Sequence, residues 1–254
     1  MTERVVLLGE RIGYSASPAI HNAAFAALGL RWRYELRDVP ADALPAALAD
    51  LRGATLRGAN LTRPHKVRVL GLLDELDPVA ERVGAVNTIV ATDGRLAGHD
   101  TDVPAIAEEV TLLGGFRSAV VLGRGGAARA AATALADVGG SVELVGRDRW
   151  PDLPALLAGA DLLVNATPVG TESDVSPIDA RLLRPDLAVL DLVYRPSPTR
   201  LIRDARAAGA KARGGAGVLL RQAALSFALW TGIPAPVEAM RTALLTELGD
   251  AADA

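Results

Sequence analysis

Apolar positions along the chain fall into short runs closed by glycine, proline or polar clusters, with amphipathic stretches between them. Residues 5–8 form one such run, ended by Gly9, which predicts a buried strand, and a helix is predicted over 19–28, stopped by Gly29. Residues 32–39 alternate and predict a second strand, and 45–51 predict a short amphipathic helix. From Leu56 the chain reads as a strand entering the loop Asn60-Leu-Thr62-Arg-Pro64-His65-Lys66, then a helix over 67–76 and a shorter one near Ala80. Ile89-Val90-Ala91, the turn signal Asp93-Gly94 and a return strand predict a hairpin. The polar cluster His99-Asp100-Thr101-Asp102 then leads into a helix to Leu113.

Past residue 117 the alternation becomes more regular. Strands are predicted at 118–122, 142–145, 161–165 and 187–192, with helices from the glycine turn at 123–126 through Val138 and over 199–208, and a short strand at 210–213. Gly214-Gly-Ala-Gly217 reads as a flexible joint, and the Ala/Asp tail after Gly249 as frayed. Strands that alternate with helices imply an α/β fold with mostly parallel sheets and right-handed crossovers. Two units are expected: residues 1–101, completed by apolar-faced terminal helices within 218–254 that pack back on it, and a Rossmann-type dinucleotide-binding unit at 102–217.

A length of 254 residues suits two cores better than one. Half the chain is hydrophobic but only 4% is aromatic, so Ala, Leu and Val must build those cores, as in helices packed on buried parallel strands. A net charge of −3 leaves no basic footprint, and no nucleic-acid partner is expected. The absence of cysteine excludes disulfides, thiolate nucleophiles and thiolate metal sites. Histidines at 21, 65 and 99 have no helical pairing, so no metal site is expected. No stretch reaches the ~18 to 20 apolar residues of a membrane span, and the N-terminal apolar run is too short for a signal peptide; a soluble cytoplasmic protein is expected.

Several residue types stand where chemistry can use them. Ser15 and Ser17 precede Pro18 at a helix start, where they either cap the helix or, with its free N–H groups, cradle an anion. Lys66 sits in a first helical turn after Pro64, against the helix dipole, a placement expected to disfavour its ammonium form and suit it to proton transfer, unless it simply reaches into solvent. Asn87 and Asp102 lie at strand ends, where short side chains are aimed with little entropy left to lose. The turn Gly123-Arg-Gly125-Gly126, between strand and helix, offers backbone N–H groups to a pyrophosphate. At the end of the next strand, Gly146-Arg147-Asp148-Arg149 carries both the acid that serves NAD and the arginines that serve NADP; two against one favour NADP, with NAD possible. Loops 165–170 and 193–196 leave the carboxyl ends of strands, where doubly wound sheets bind ligands. Gln222, taken alone, reads as an exposed helix position.

Together these blocks resemble the shikimate dehydrogenase family, which includes the quinate/shikimate dehydrogenases, over nearly the whole chain. The resemblance rests on Ser15-Ala-Ser17-Pro18 with His21-Asn22, Gly58-Ala-Asn60-Leu-Thr62-Arg-Pro64-His65-Lys66, Gly84-Ala-Val-Asn87-Thr88, Thr101-Asp102, the glycine turn, Asn165-Ala-Thr167-Pro168, Asp191-Leu-Val-Tyr194 and Gln222-Ala-Ala. It implies NADP-linked reduction of 3-dehydroshikimate to shikimate, in the cleft between two domains, by a monomer or homodimer. It implies Lys66 and Asp102 as the catalytic pair; Ser15, Ser17 and Tyr194 on the substrate carboxylate; and Asn60, Thr62, Asn87 and Gln222 on ring hydroxyls or the pocket wall. For the cofactor it implies Gly123, Gly125, Gly126, Ala127, Arg147, Arg149, Thr167, Val193 and Gly215. The chain departs from the family pattern at Tyr14, Arg63, Asp100, Arg124 and Val218, which keeps open a quinate/shikimate paralogue with NAD use or altered substrate. A non-catalytic dinucleotide-binding module ranks third, since Lys66 and Asp102 are both present.

Overall fold

In the computed structural model, which describes residues 2–53 and 55–249, the buried run 5–9 becomes the last five residues of β1 (Glu3–Gly9), the strand on which the first sheet is built. The tail after Gly249 lies outside the described residues. β1 is followed by α1 (Ser17–Ala27), β2 (Trp32–Asp38), α2 (Leu44–Arg52), β3 (Gly58–Leu61), the single turn α3 (His65–Arg68), β4 (Glu75–Leu76), α4 (Pro78–Val83), β5 (Thr88–Thr92) and β6 (Arg95–His99). The sheet order is β2-β1-β3-β5-β6-β4. β1 runs parallel to β2 and β3, whereas β3–β5 and β5–β6 are antiparallel. The sheet is thus mixed, because Asp93 (φ 51°) and Gly94 (φ 78°) close a two-residue hairpin whose twist suits antiparallel strands. Val6 and Leu8 of β1, Leu44, Leu48 and Leu51 of α2, and Ile89 of β5 form its core on one face.

The helix predicted over 67–76 is absent. Past α3 the chain makes a 3-10 turn at Leu70–Leu72 and then β4. Gly71 weakens the helix, and Asp74 commits the segment to β6: its N–H donates to Leu96 O (3.0 Å) and its carboxylate accepts from Leu96 N (2.7 Å) and Arg52 (2.6 Å). Tertiary pairing here overrides an apolar period of helical spacing. With only four helical residues, the summed dipole invoked for Lys66 has no long helix behind it.

The second unit comprises residues 102–219: α5 (Asp102–Leu113), β7 (Ser118–Leu122), α6 (Gly126–Asp137), β8 (Ser141–Val145), α7 (Leu153–Ala158), β9 (Leu162–Asn165), β10 (Ala188–Asp191), α8 (Arg200–Ala207) and β11 (Ala212–Arg213). Its sheet, β11-β10-β9-β7-β8, is parallel throughout. α6 lies close on that sheet because Ala128, Ala130, Ala131 and Ala134 are fully buried. α7 has no counterpart in the sequence reading, because Pro151 and Pro154 mask its short helical period. The glycine run before α9 (Ala216–Thr231) is no flexible joint. A Cβ on Gly215 would collide with the Leu192 carbonyl oxygen, so the run is a corner packed against β10.

Residues 220–247, the rest of α9 and most of α10 (Val237–Leu248), belong with the first unit. Trp230 Nε1 donates to Ile89 O (2.9 Å), and Phe227 packs on Phe25 at 5.3 Å between ring centroids. Among the described residues no helix is long and apolar enough to cross a membrane.

Candidate active site

Strand direction gathers the first unit's polar residues at one end of its sheet. Parallel β1 and β3 both point their carboxyl ends there, so the loops carrying Ser15, Ser17, Thr62 and Lys66 leave from the same edge. β5 is antiparallel to β3 and starts there, which brings Asn87; β6 ends there, which brings Asp100 and Thr101 immediately before Asp102. Backbone bonds fix the loops to one another: Glu10 N donates to Arg63 O (3.1 Å), Val86 N to Lys66 O (2.8 Å) and Asn87 N to His99 O (3.1 Å). Lys66 and Thr62 are half-buried; Asp100, Thr101 and Asp102 are buried.

At the start of α1 the helix caps on Ala16 without a side-chain bond. The Ser15 hydroxyl accepts from Ser17 N (3.3 Å) and donates to Ser17 Oγ (3.2 Å), so the two hydroxyls lie together beside the first helical turn. Nearby, Asn22 clamps the edge strand β2, its amide donating to Tyr34 O (3.1 Å) and accepting from Tyr34 N (2.9 Å).

A buried polar network lies behind the loops. Tyr34 OH donates to Asn60 Oδ1 (2.8 Å), and Asn60 Nδ2 faces Asn87 O (3.2 Å), Thr88 Oγ1 (3.0 Å) and Ser226 Oγ (3.0 Å). Asn60 is therefore committed to the protein's own groups. Ser226 also donates to Gln222 O (2.9 Å) and meets Thr88 Oγ1 at 2.8 Å. Asn87 holds the next layer: its Oδ1 accepts from Thr101 N (2.9 Å), and its Nδ2 donates to Thr101 Oγ1 (2.9 Å). Gln222 is 9% exposed, not the solvent-facing position its sequence context suggests. Thr88, Thr101 and Ser226 were not among the candidate site residues; Ser226, one turn past Gln222 on an otherwise apolar stretch, was the available signal. His21 is fully buried and stacks on Tyr34 at 4.4 Å and 5°. Burial drives its pKa down to about 3, so it is a neutral packing ring.

In the second unit the glycine turn has the form that sequence predicts. Gly123 has φ +123°, and a Cβ there would come within 3.0 Å of Ala166 O. Gly125 is the N-cap of α6 with no side-chain capping bond, and nothing lies within 4 Å of where its Cβ would be. Gly125 is exposed and Gly126 and Ala127 half-buried, so this helix start carries no side-chain cap and little cover, an arrangement that fits a pyrophosphate on its first-turn N–H groups.

Loops 165–170 and 191–199 are tied to each other. Asn165 Oδ1 accepts from Thr167 N (3.1 Å) and Thr167 Oγ1 (2.7 Å), while its Nδ2 donates to Asp191 Oδ1 (2.8 Å). The Asp191 carboxylate accepts in addition from Val193 N (3.0 Å) and Thr199 Oγ1 (2.7 Å). Burial pushes the Asp191 carboxyl up to about 6, against those three bonds, which pull it down. Gly215 N donates to Val193 O (3.2 Å), so Thr167, Val193 and Gly215 converge at the carboxyl ends of β9 and β10, and Tyr194 follows half-buried. The arginines after β8 diverge. Arg147 lies over the Trp150 ring at 5.9 Å, whereas Arg149 is taken by Glu143 and by Asp152 (3.2 Å). Among the described residues no group of three or more histidines and carboxylates could hold a metal ion.

Comparison with known proteins places this geometry. Residues 7–89 match the family model described as shikimate dehydrogenase substrate binding domain, and residues 215–245 the shikimate 5'-dehydrogenase C-terminal domain. The chain is 44% identical to shikimate dehydrogenase (NADP(+)) of Haloarcula marismortui, covering 95% of this chain and 98% of the relative. It is 42% identical to the enzyme of the same name from Thermus thermophilus, over 97% and 99% of the two chains. A solved structure of shikimate 5-dehydrogenase from Thermus thermophilus, in complex with NADP(H) and shikimate, superposes with a TM-score of 0.88 at 41% identity, over 97% of this chain and all of that one.

Proposed function

The chain belongs to the shikimate dehydrogenase family, and from that premise we propose that it interconverts 3-dehydroshikimate and shikimate with NADP(H), in the route to aromatic amino acids. The observation that carries the assignment of roles is the gathering of Thr62, Lys66, Asn87 and the 100–102 segment at one end of the first sheet. We assign residues 1–101, completed by 218–254, to substrate binding and catalysis, and 102–217 to the dinucleotide. We place the reaction in the cytoplasm and assign it to a monomer or homodimer.

NADPH, when bound, supplies the hydride that reduces the ketone. The chain's residues do the rest. A ketone oxygen that gains negative charge needs a cation beside it and then a proton; the Lys66 ammonium supplies both, and in the oxidative direction its neutral amine takes the proton from the alcohol. Asp102 orients that ammonium and accepts from a substrate hydroxyl. Ser15, Ser17 and Tyr194 hold the carboxylate, and Thr62, Asn87 and Gln222 the ring hydroxyls. Asn60, bonded to Tyr34, Thr88 and Ser226, shapes the wall from behind.

The cofactor's pyrophosphate suits Gly123, Gly125, Gly126 and Ala127, its phosphorylated ribose suits Arg147 with Arg149 in support, and Thr167, Val193 and Gly215 line the path to the reacting ring. Asp148 is the residue that favours NAD use. Initial rates of shikimate and quinate oxidation with NADP and with NAD, on wild type and Lys66→Ala, test both readings. Shikimate turnover with NADP that disappears in the variant supports the assignment; quinate turnover with NAD in preference would overturn it.

A further inference from the structure

We propose that Arg124 sets the cofactor preference of this chain by neutralising Asp148, so that the loop after β8 accepts a 2′-phosphate while carrying an acid suited to an unphosphorylated ribose. The inference rests on the NADP reading above and concerns the charge balance of one short segment. A carboxylate at the end of the second strand of a dinucleotide fold accepts from ribose hydroxyls and repels a 2′-phosphate. Asp148 occupies that place, in the 3-10 turn Arg147–Asp152 that follows β8.

Three arginines surround it, with different commitments. Arg149 is held by two carboxylates, Glu143 and Asp152, so it has no positive charge to spare. Arg147 lies over Trp150 with no carboxylate partner among its described contacts. Arg124, from the glycine turn on the neighbouring strand β7, donates through Nη2 to Asp148 Oδ2 at 3.0 Å. With that pair formed, Asp148 faces Arg124 rather than Arg147, and Arg147 is left as the guanidinium without a carboxylate beside it, available to a phosphate dianion. Without Arg124, Asp148 would stand unpaired beside Arg147 and oppose a phosphate there. A guanidinium has five N–H donors, so one bond to Asp148 leaves Arg124 others to offer a phosphate oxygen.

The backbone makes room for this pair. Gly146 is buried, and a Cβ built on it would stand 2.5 Å from both Arg124 Nε and Asp148 Oδ1. The two side chains therefore meet over a bare Cα, and Gly146→Ala would push them apart while leaving every charge in place. Both partners are more than half exposed, so the pair is worth little to folding, and its variants are expected to fold.

The test is calorimetric titration of 2′,5′-ADP and of 5′-AMP, which differ by the phosphate in question, into wild type, Arg124→Ala, Asp148→Ala, the double variant and Gly146→Ala. Wild type is expected to favour 2′,5′-ADP. Arg124→Ala should lose about tenfold or more of that preference, the scale of one charge-assisted hydrogen bond. Asp148→Ala should keep the preference, the double variant should recover most of the loss, and Gly146→Ala should lose part of it. An undiminished preference in Arg124→Ala would overturn the proposal. So would an equal loss from removing Arg124 with and without Asp148, which would make Arg124 a phosphate ligand that ignores the acid. Because these titrations need no turnover, an enzyme that oxidised no shikimate yet showed this pattern would sink the proposed function and leave the inference standing.

Discussion

The side chain of Asn87 holds Thr101 from both sides: Oδ1 accepts the Thr101 backbone N–H at 2.9 Å, and Nδ2 donates to the Thr101 hydroxyl at 2.9 Å. Thr101 is the residue before Asp102, so one amide at the head of β5 fixes the backbone from which the proposed catalytic carboxylate is aimed. Asn87→Ala removes both bonds in a buried setting and any substrate contact the amide makes. A fall in kcat/KM on the order of a hundredfold is expected, from misplacement as well as lost binding. The discriminating measurement is Asn87→Asp: it keeps the acceptor for Thr101 N but loses the donor, and should retain more kcat than the alanine variant. Equal kcat in the two variants would remove Asn87 from the positioning of Asp102.

Lys66→Ala removes the proton source and the cation beside the developing alkoxide. A loss of about 10²- to 10⁴-fold in kcat is expected, the range of one general acid–base group. Affinity for 2′,5′-ADP should be unchanged, because that ligand carries nothing for Lys66 to touch. A variant that loses nucleotide affinity with its turnover would show that Lys66 supports structure.

Ser226→Ala leaves the fold's packing intact but deprives Asn60 Nδ2 and Thr88 Oγ1 of a partner they meet at 3.0 and 2.8 Å. A stability loss of about 1–3 kcal/mol is expected from the unsatisfied groups, read by urea unfolding. The variant should also raise the KM for shikimate more than it lowers kcat, since Gln222 lies one turn away on α9. An unchanged KM would confine Ser226 to stability.

Much of this was legible in the sequence where a local signal and the tertiary environment agree. The glycine turn at 123–126, the strand that precedes it and the helix that follows are each declared by nearby residues, and the Asp93-Gly94 hairpin by two positions that accept positive φ. Asn87 and Asp102 were legible as candidates from their place at strand ends, Lys66 from a cation set in a first helical turn, and Thr62 only from the family resemblance. What was not legible depends on partners distant in sequence. The stretch 67–76 has helical spacing, yet Asp74 answers to Leu96 and Arg52. Asn60 carries a substrate-type amide, yet Tyr34 and Ser226, 26 and 166 residues away, claim it. Two arginines against one acid after β8 gave the correct sign for NADP, but Arg149 is spent on Glu143 and Asp152, and the balance is restored by Arg124 from another strand.

Two buried titratable groups act on stability with opposite sign over one pH window. His21 has a folded pKa of about 3 against 6.5 in the open chain. As pH falls below 6.5 the unfolded chain takes up a proton that the folded one refuses, so stability falls by about 1.4 kcal/mol per pH unit, roughly 5 in all. Asp191 has a folded pKa of about 6 against 3.8. As pH falls through 6 the folded form takes up the proton first, so stability rises by the same slope down to about 3.8, roughly 3 kcal/mol in all. Between pH 6 and 4 the two contributions oppose and nearly cancel. His21→Phe, which keeps a planar ring against Tyr34, should gain stability relative to wild type on acidification across that interval. Asp191→Asn, whose amide can still accept from Asn165 and Val193 N and donate to Thr199, should lose it. Unfolding free energies from urea titrations at pH 4 to 8 give the two difference curves, in which other titrating groups cancel. Divergence below pH 6, one curve up and one down, is the expected result. Parallel curves would mean that the buried ring and the buried carboxyl do not titrate as their burial dictates.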